Sequence, residues 1–178
     1  MTPTQAAIFG YAILSRVAYV SFVGWSLRRE TQAVDFPVFR RRAAFVMNHD
    51  AVAFILLCVA TRNTWTPPLR SAVSFTAGAV LAVVGLGIKL WAARTLGAKA
   101  YYWYNFFDPD DAGGPVTSGP YRFVNNPMYT VGYLQTYGLA LICRSWPALI
   151  AAAFSHLAIL AFYLFIEKPH FQRLHRLS

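Results

Sequence analysis

Long runs of apolar residues, separated by shorter polar stretches, make up most of the sequence. A helix that crosses a bilayer needs ~20 mostly apolar residues. Five runs reach or approach this length, and the fourth is the shortest: Thr4–Leu27, Ala43–Ala60, Ser71–Ala93, Tyr129–Cys143 and Trp146–Ile166. The pattern therefore predicts an all-α, polytopic membrane helix bundle with about five transmembrane helices.

Composition supports a membrane protein of one domain. Of the 178 residues, 57% are hydrophobic and only 13% are charged, whereas about a quarter of the residues of a soluble domain are charged. The length suits one compact bundle that covers residues 1–178. The hydrophobic content and the length together leave little room for a second, soluble domain.

The basic residues predict the orientation of the bundle. If five spans alternate, 11 of the 16 Lys and Arg residues lie on one side, in the loops 28–42 and 94–128 and in the tail. Basic residues accumulate on the cytoplasmic side of membrane proteins, so the N-terminus is expected outside and the C-terminus in the cytoplasm. The net charge of +9 then reflects topology, and no nucleic-acid partner is expected because there is no basic stripe outside these loops.

The most polar segment inside this apolar chain is "TSGPYRFVNNPMYTVGY", residues 117–133. Asn126 is a favourable helix cap and Pro127 fits the first helical position, so the fourth span is expected to begin here. Its free N–H groups, together with Arg122, would then hold a carboxylate or phosphate at the cytoplasmic surface. Flat rings for a planar ligand come from Tyr121, Phe123 and Tyr129. A capped helix with interfacial aromatic residues is the structural alternative.

Several polar residues lie within the predicted spans. Arg16 is central in the first span and Asp50, next to His49, lies in the second at a comparable depth, so an Arg16–Asp50 ion pair is expected. The pair has either a structural role or a role in a substrate site. Lys89 is expected to extend toward the membrane surface, and His156 is either a hydrogen-bonded histidine of the bundle or a base.

Two loops contain further candidate features, an aromatic run and a group of aspartates. The aromatic run "YYWYNFF", residues 101–107, predicts either an interfacial belt or the wall of a tunnel for an acyl chain or headgroup. Asp108, Asp110 and Asp111 lack the spacing of a metal site, so no metal is expected.

The polar segment resembles the "GPYR-x-x-RHPxY-x-G" signature of the integral membrane methyltransferases. This family includes isoprenylcysteine carboxyl methyltransferases and phospholipid (phosphatidylethanolamine) N-methyltransferases. Gly85-Leu86-Gly87 resembles a Gly-x-Gly element of the phospholipid branch, and "FYLFIEKPHFQRLH" resembles the Glu-Glu end of the family; both elements contact S-adenosylmethionine. The resemblance extends over roughly residues 83–174.

The resemblance implies S-adenosylmethionine-dependent methyl transfer to a membrane-embedded lipid or lipophilic small molecule. Residues 1–70 would then supply N-terminal spans and residues 71–178 the cofactor-binding part. The implied cofactor-binding residues are Gly85, Gly87, Tyr121, Arg122, Asn125, Asn126, Pro127, Met128, Tyr129, Gly132 and Glu167. The candidate catalytic residues are Arg122, toward the cofactor's carboxylate, and Glu167, His49 and Asp50, which are candidate bases for an amine acceptor.

Departures from the family pattern keep alternatives open. Asn125-Asn126 replaces the family's Arg-His, and Lys168 replaces its second glutamate. The alternatives are an NADPH-dependent membrane reductase of the sterol and steroid type and a non-catalytic relative. The active site is expected on the cytoplasmic face, and the Ala- and Arg-rich composition is typical of a bacterial inner-membrane protein. The acceptor and the oligomeric state are not assigned.

Overall fold

The computed structural model describes residues 1–28, 35–65, 71–107 and 116–174. The described residues form helices and turns and contain no strand, which confirms the all-α prediction. The α-helices are α1 (Pro3–Arg28), α2 (Phe36–Ala60), α3 (Ser71–Leu96), α4 (Ala98–Tyr101), α5 (Leu134–Ile142), α6 (Trp146–Phe162) and α7 (Lys168–Leu174). Short 3₁₀ turns lie at Tyr104–Phe106, Gly119–Arg122 and Val131–Tyr133, and a π-helical turn at Tyr163–Glu167 joins α6 to α7.

Four helical stretches of the described chain are long and apolar enough to cross a bilayer. They are Pro3–Arg28, Phe36–Ala60, Ala72–Leu96 and Trp146–Arg173. The chain is therefore an integral membrane protein. Its orientation in the bilayer stays a prediction.

The fourth predicted span, Tyr129–Cys143, is not a full-length helix. Its regular part, α5, has nine residues and is ~13 Å long, less than half the hydrocarbon thickness of a bilayer. The chain nevertheless reaches the end of the bundle where α2 stops, because the Asn63 N–H donates to the carbonyl of Cys143 at 2.9 Å. A turn and one 3₁₀ turn thus replace the first third of the predicted span.

Capping residues explain where α2 and α6 begin. The carboxylate of Asp35 accepts from the Val38 N–H at 3.5 Å, so α2 begins at Phe36, well before the predicted Ala43. Arg40, Arg41 and Arg42 consequently lie in the first turns of α2 rather than in a loop. The hydroxyl of Ser145 accepts from the Ala148 N–H at 3.0 Å and caps α6, as expected of a serine at this position.

Glycines allow α3 and α5 to pack closely. A Cβ added to Gly138 would lie 2.5 Å from the carbonyl oxygen of Gly78, and one added to Gly85 would lie 2.3 Å from the backbone N of Gln135. Small residues at such crossings let membrane helices approach each other. Helices α3 and α5 are therefore closely packed, and α3 also contacts the polar segment that precedes α5.

Two apolar clusters fill the bundle. An aromatic cluster joins α1, α2 and α6 to the segment after α4 and includes Phe39, Trp103 and Phe162. The other cluster consists largely of small residues such as Ala53 and Ala151. The aromatic cluster borders the polar residues of the candidate site.

Candidate functional site

Two adjoining cavities lie where α3 to α7 meet. The first, here called the Glu167 cavity, has a volume of about 450 Å³ and is lined only by residues between 96 and 172. The second, the Asp50 cavity, has a volume of about 340 Å³ and also draws residues from α1 and α2. Both volumes lie within or near the range of small-molecule sites, ~300–1,000 Å³. Four residues line both cavities and form what we call the shared wall: Tyr101, Trp103, Met128 and Tyr129.

Glu167 is held in place by the shared wall. It ends the π-helical turn Tyr163–Glu167, a distortion that is frequent at functional sites. The hydroxyl of Tyr129 donates to Oε2 of Glu167 at 3.1 Å, and the side chain of Trp103 also hydrogen-bonds this carboxylate. Two neutral donors therefore hold the side chain of Glu167 in a fixed position.

Trp103 reaches this position through an uncommon backbone conformation. Its φ is 60° and its ψ is 28°, the left-handed region that bulky residues rarely adopt. The side chain is only 4% exposed. Residues in strained backbone conformations of this kind cluster at ligand sites. The left-handed conformation of Trp103 directs its indole toward Glu167.

Tyr121 contributes a buried hydroxyl to the Glu167 cavity, and this hydroxyl has no hydrogen-bond partner among the described residues. It lies in the turn Gly119–Arg122, which Gly119 opens with a φ of +57° and where a Cβ would lie 2.6 Å from Oγ1 of Thr95. Burial, and secondarily the charge of Glu167, raises the pKa of Tyr121 to about 12. The hydroxyl therefore stays protonated at neutral pH and is available to donate to a ligand.

The asparagine pair lines the same cavity but does not begin a helix. Oδ1 of Asn126 accepts from the Tyr129 N–H at 3.2 Å, and the Asn126 carbonyl accepts from the Thr130 hydroxyl at 2.7 Å. Asn126 thus caps a single turn, and the prediction that α5 starts here with an anion-binding end is wrong. The buried Asn126 and the exposed Asn125 instead line the cavity.

The cation at the Glu167 cavity is not the one predicted. Arg122 is exposed, lies over the ring of Phe123 at 5.9 Å, and lines neither cavity of the described chain. Lys168, next to Glu167, lines the Glu167 cavity. The residue that departs from the family's second glutamate therefore takes the place expected of Arg122.

Four further predicted residues line neither cavity of the described chain. Gly85 and Gly87 line neither cavity: Gly85 packs against Gln135, and a Cβ on Gly87 would meet nothing within 4 Å. Pro127 is fully buried. A Cβ on Gly132 would lie 3.0 Å from the Pro127 carbonyl oxygen, so these two residues set the path of the segment that carries Met128 and Tyr129.

The predicted Arg16–Asp50 ion pair is present in the Asp50 cavity. The guanidinium of Arg16 contacts the Asp50 carboxylate at 2.5 Å, with side-chain exposures of 12% and 7%. The same guanidinium lies 5.2 Å from the ring centre of Tyr19. Lys89, which was expected to extend toward the membrane surface, lines this cavity too.

The two histidines have different positions. His49 lies outside the Asp50 cavity and hydrogen-bonds the hydroxyls of Tyr11 at 2.5 Å and Ser15 at 3.1 Å. His156 stacks on Tyr133, and its Nε2–H donates to the Tyr129 carbonyl at 2.9 Å. The interpretation of His156 as a hydrogen-bonded histidine of the bundle is confirmed, and the bond holds the backbone of a shared-wall residue.

The main residues that sequence reasoning did not assign are Tyr101 and Trp103. They belong to the aromatic run for which a tunnel wall is one of two interpretations. Residues of this run line both cavities, and a tunnel for an acyl chain or headgroup stays a prediction. Which rings face inward depends on the kinked path after α4, and no periodic pattern encodes it. Asp108, Asp110 and Asp111 lie outside the described residues, and the described part holds no group of three potential metal ligands.

Comparison with known proteins places this geometry in context. The model of the phospholipid methyltransferase family matches residues 73–177. The chain is 33% identical over 138 residues to phosphatidylethanolamine N-methyltransferase of Aspergillus clavatus, covering 76% of this chain and 14% of that protein. For the enzyme of Schizosaccharomyces japonicus the identity is 34% over 152 residues, with coverages of 81% and 16%.

The chain spans about one seventh of the length of these relatives. They are fungal, so the expectation of a bacterial inner membrane gains no support. No solved structure matches the chain. The matched residues 73–177 include every residue that lines the Glu167 cavity but exclude Arg16 and Asp50.

Proposed function

The chain belongs to the phospholipid methyltransferase family, and we propose that it transfers a methyl group from S-adenosylmethionine to the amine of a membrane phospholipid. The observation that carries this proposal is the pair of cavities on two sides of one shared wall, each with a carboxylate. A two-substrate transfer needs adjacent sites for donor and acceptor. Holding two reactants in register can supply ~7–11 kcal/mol of the barrier.

The residues of the Glu167 cavity fit the methyl donor. S-adenosylmethionine, once bound, would supply an electrophilic methyl group on a positively charged sulfur. Glu167 offers a carboxyl group held in place beside cationic groups of the ligand, and Lys168 and Asn125 offer donors for a carboxylate. The hydroxyl of Tyr121, which bonds to no other described residue, and the neighbouring rings suit a nucleoside.

Asp50 is the candidate base on the acceptor side. An ammonium must lose a proton before its nitrogen can attack a methyl carbon. The Asp50 carboxylate would take that proton; the nitrogen–carbon bond then forms as the carbon–sulfur bond breaks, and the sulfur keeps the electron pair. His49 is less suited because it is bonded to Tyr11 and Ser15 outside the cavity, and Glu167 lies on the donor side.

Membership of a methyltransferase family does not favour the NADPH-dependent reductase alternative. Measurements of ligand binding and turnover distinguish a methyltransferase from a non-catalytic relative. The detergent-purified protein is titrated with S-adenosylmethionine, S-adenosylhomocysteine and NADPH while its thermal midpoint is followed. A ligand at 100 times its dissociation constant stabilises a protein by ~2.7 kcal/mol.

We expect stabilisation by the first two ligands, and transfer of labelled methyl groups to phosphatidylethanolamine in mixed micelles. A response to NADPH alone would reject methyl transfer. Binding of S-adenosylmethionine without transfer to any amine lipid would reject the acceptor class but not the donor site. No response to any of the three ligands would favour a non-catalytic relative.

A further inference from the structure

The Asp50 cavity contains more positive than negative charge. Arg16 and Lys89 line it as cations and Asp50 as the carboxylate. Among the described residues the Arg16–Asp50 contact is the one ion pair, so Lys89 has no ion-pair partner in this part of the chain. Nε of Arg16 is buried and has no acceptor within residues 1–28, 35–65, 71–107 and 116–174. A charge in apolar surroundings is costly unless it is paired, so the described residues leave one cation of this cavity without a counter-charge, and a bound anionic group would supply it.

We propose that Arg16 and Lys89 bind the phosphate of the acceptor lipid while Asp50 faces its amine. The assignment rests on the function proposed above. A phosphodiester carries one negative charge, which balances the excess cation, and guanidinium and ammonium groups are the donors that proteins use for phosphate. Once the phosphate occupies Arg16, the Asp50 carboxylate is free to accept the proton of the lipid's ammonium.

The packing around Lys89 places this phosphate site beside the shared wall. A Cβ added to Gly132 would lie 3.3 Å from Cβ of Lys89, so the segment that follows Met128 and Tyr129 rests directly on Lys89. Both shared-wall residues line the Asp50 cavity together with Lys89. A headgroup anchored by its phosphate here would therefore keep its amine close to the donor side.

Acceptors with and without a phosphate test the proposal. Dioleoyl phosphatidylethanolamine and the phosphate-free octadecylamine are compared in mixed micelles with wild type, Lys89→Gln and Arg94→Gln. Arg94 is the matched control, because it lies on the same helix, is exposed and lines neither cavity. Lys89 is preferred to Arg16 as the variant, because removing Arg16 would leave Asp50 buried without its ion-pair partner.

Lys89→Gln is expected to raise KM for the phospholipid about tenfold or more, as for a lost hydrogen bond to a charged group. It should change KM for octadecylamine by less than about twofold, because that acceptor makes no phosphate contact. Arg94→Gln should change neither. Equal changes for both acceptors, or no change for either, would overturn the phosphate site.

Asp50→Asn tests the other half of the assignment. Because both acceptors carry an amine, the variant should lower kcat with both, and the loss should be largest at the pH where the amine is fully charged. Loss of the phospholipid reaction alone would overturn the assignment of Asp50 to the amine.

A binding measurement tests the phosphate site even if the protein has no methyltransferase activity. If the wild type methylates neither acceptor, phosphate binding is measured by thermal stabilisation with phosphatidylethanolamine, octadecylamine or inorganic phosphate. Stabilisation by the phospholipid that is lost in Lys89→Gln would uphold the site, and its retention in that variant would overturn it. Stabilisation by inorganic phosphate without any effect of the phospholipid would overturn the assignment to a lipid headgroup.

Discussion

The Glu167 cavity and the Asp50 cavity share four residues but differ in origin and in charge. The first is lined only by residues 96–172 and contains a carboxylate held by neutral donors. The second combines charges from α1, α2 and α3, with two cations against one carboxylate. The proposed donor site therefore falls within the family-matched segment, whereas the charges of the proposed acceptor site come largely from helices that precede it.

The largest effect is expected from changes to the ion pair of the Asp50 cavity. Asp50→Leu alone leaves Arg16 buried without a counter-charge and should cost about 3–5 kcal/mol of unfolding free energy. The double variant Arg16→Met with Asp50→Leu should regain most of that stability, since apolar pairs often replace buried ion pairs without loss. Reversible unfolding in mixed micelles measures both values.

Activity of the double variant separates fold from function. We expect it to bind S-adenosylmethionine, because the Glu167 cavity is unchanged, but not to methylate phosphatidylethanolamine. A stable double variant with normal turnover would show that the Asp50 cavity is not the acceptor site.

The second prediction concerns the carboxylate on the donor side. Glu167→Gln preserves the shape of the side chain and can still accept from Tyr129, but it removes the charge that faces the cavity. Loss of one partner from a buried charged contact costs about 2–5 kcal/mol, so S-adenosylmethionine affinity should fall about 30-fold or more. Calorimetric titration tests this, and an unchanged dissociation constant would remove Glu167 from the donor site.

Much of this architecture could be predicted from sequence, because apolar length and buried charge leave strong patterns. Four of the five predicted spans correspond to long helices, and the partners Arg16 and Asp50 followed from their similar depths. The segment after Asn126 was harder. The sequence contains its capping residues, but the same signals serve a helix or a single turn. The structure has a single turn here, in contact with Lys89 and Glu167.

The residues that line the cavities are harder to predict than the helices, because many of them lie in irregular turns. Six of the residues predicted to bind the cofactor line the Glu167 cavity: Tyr121, Asn125, Asn126, Met128, Tyr129 and Glu167. Arg122, predicted with them, is exposed and is not part of that lining. In a short irregular turn, neighbouring side chains diverge, and nothing periodic in the sequence indicates which one faces inward.

A third prediction uses the two glycines of the Gly-x-Gly element. Gly85→Ala would place a Cβ 2.3 Å from the Gln135 backbone N and should cost about 1–3 kcal/mol through overpacking of α3 against α5. Gly87→Ala meets no atom within 4 Å and should leave both stability and cofactor affinity unchanged. Thermal midpoints with and without S-adenosylmethionine measure the pair. Loss of cofactor binding in a stable Gly87→Ala protein would restore this element to the donor site.

The smallest expected effect distinguishes the two cations near the donor side. Lys168 lines the Glu167 cavity but is exposed, so its contact with a ligand carboxylate is screened and is worth at most about 1 kcal/mol. Lys168→Gln should therefore weaken S-adenosylmethionine binding by no more than about fivefold, and the difference from wild type should shrink as salt is added. Arg122→Gln, which changes an exposed residue outside both cavities, should leave the dissociation constant unchanged at every salt concentration. The opposite ranking of the two variants would mean that the turn Gly119–Arg122 rearranges when ligand binds and brings Arg122 inward, as its position in the motif first indicated.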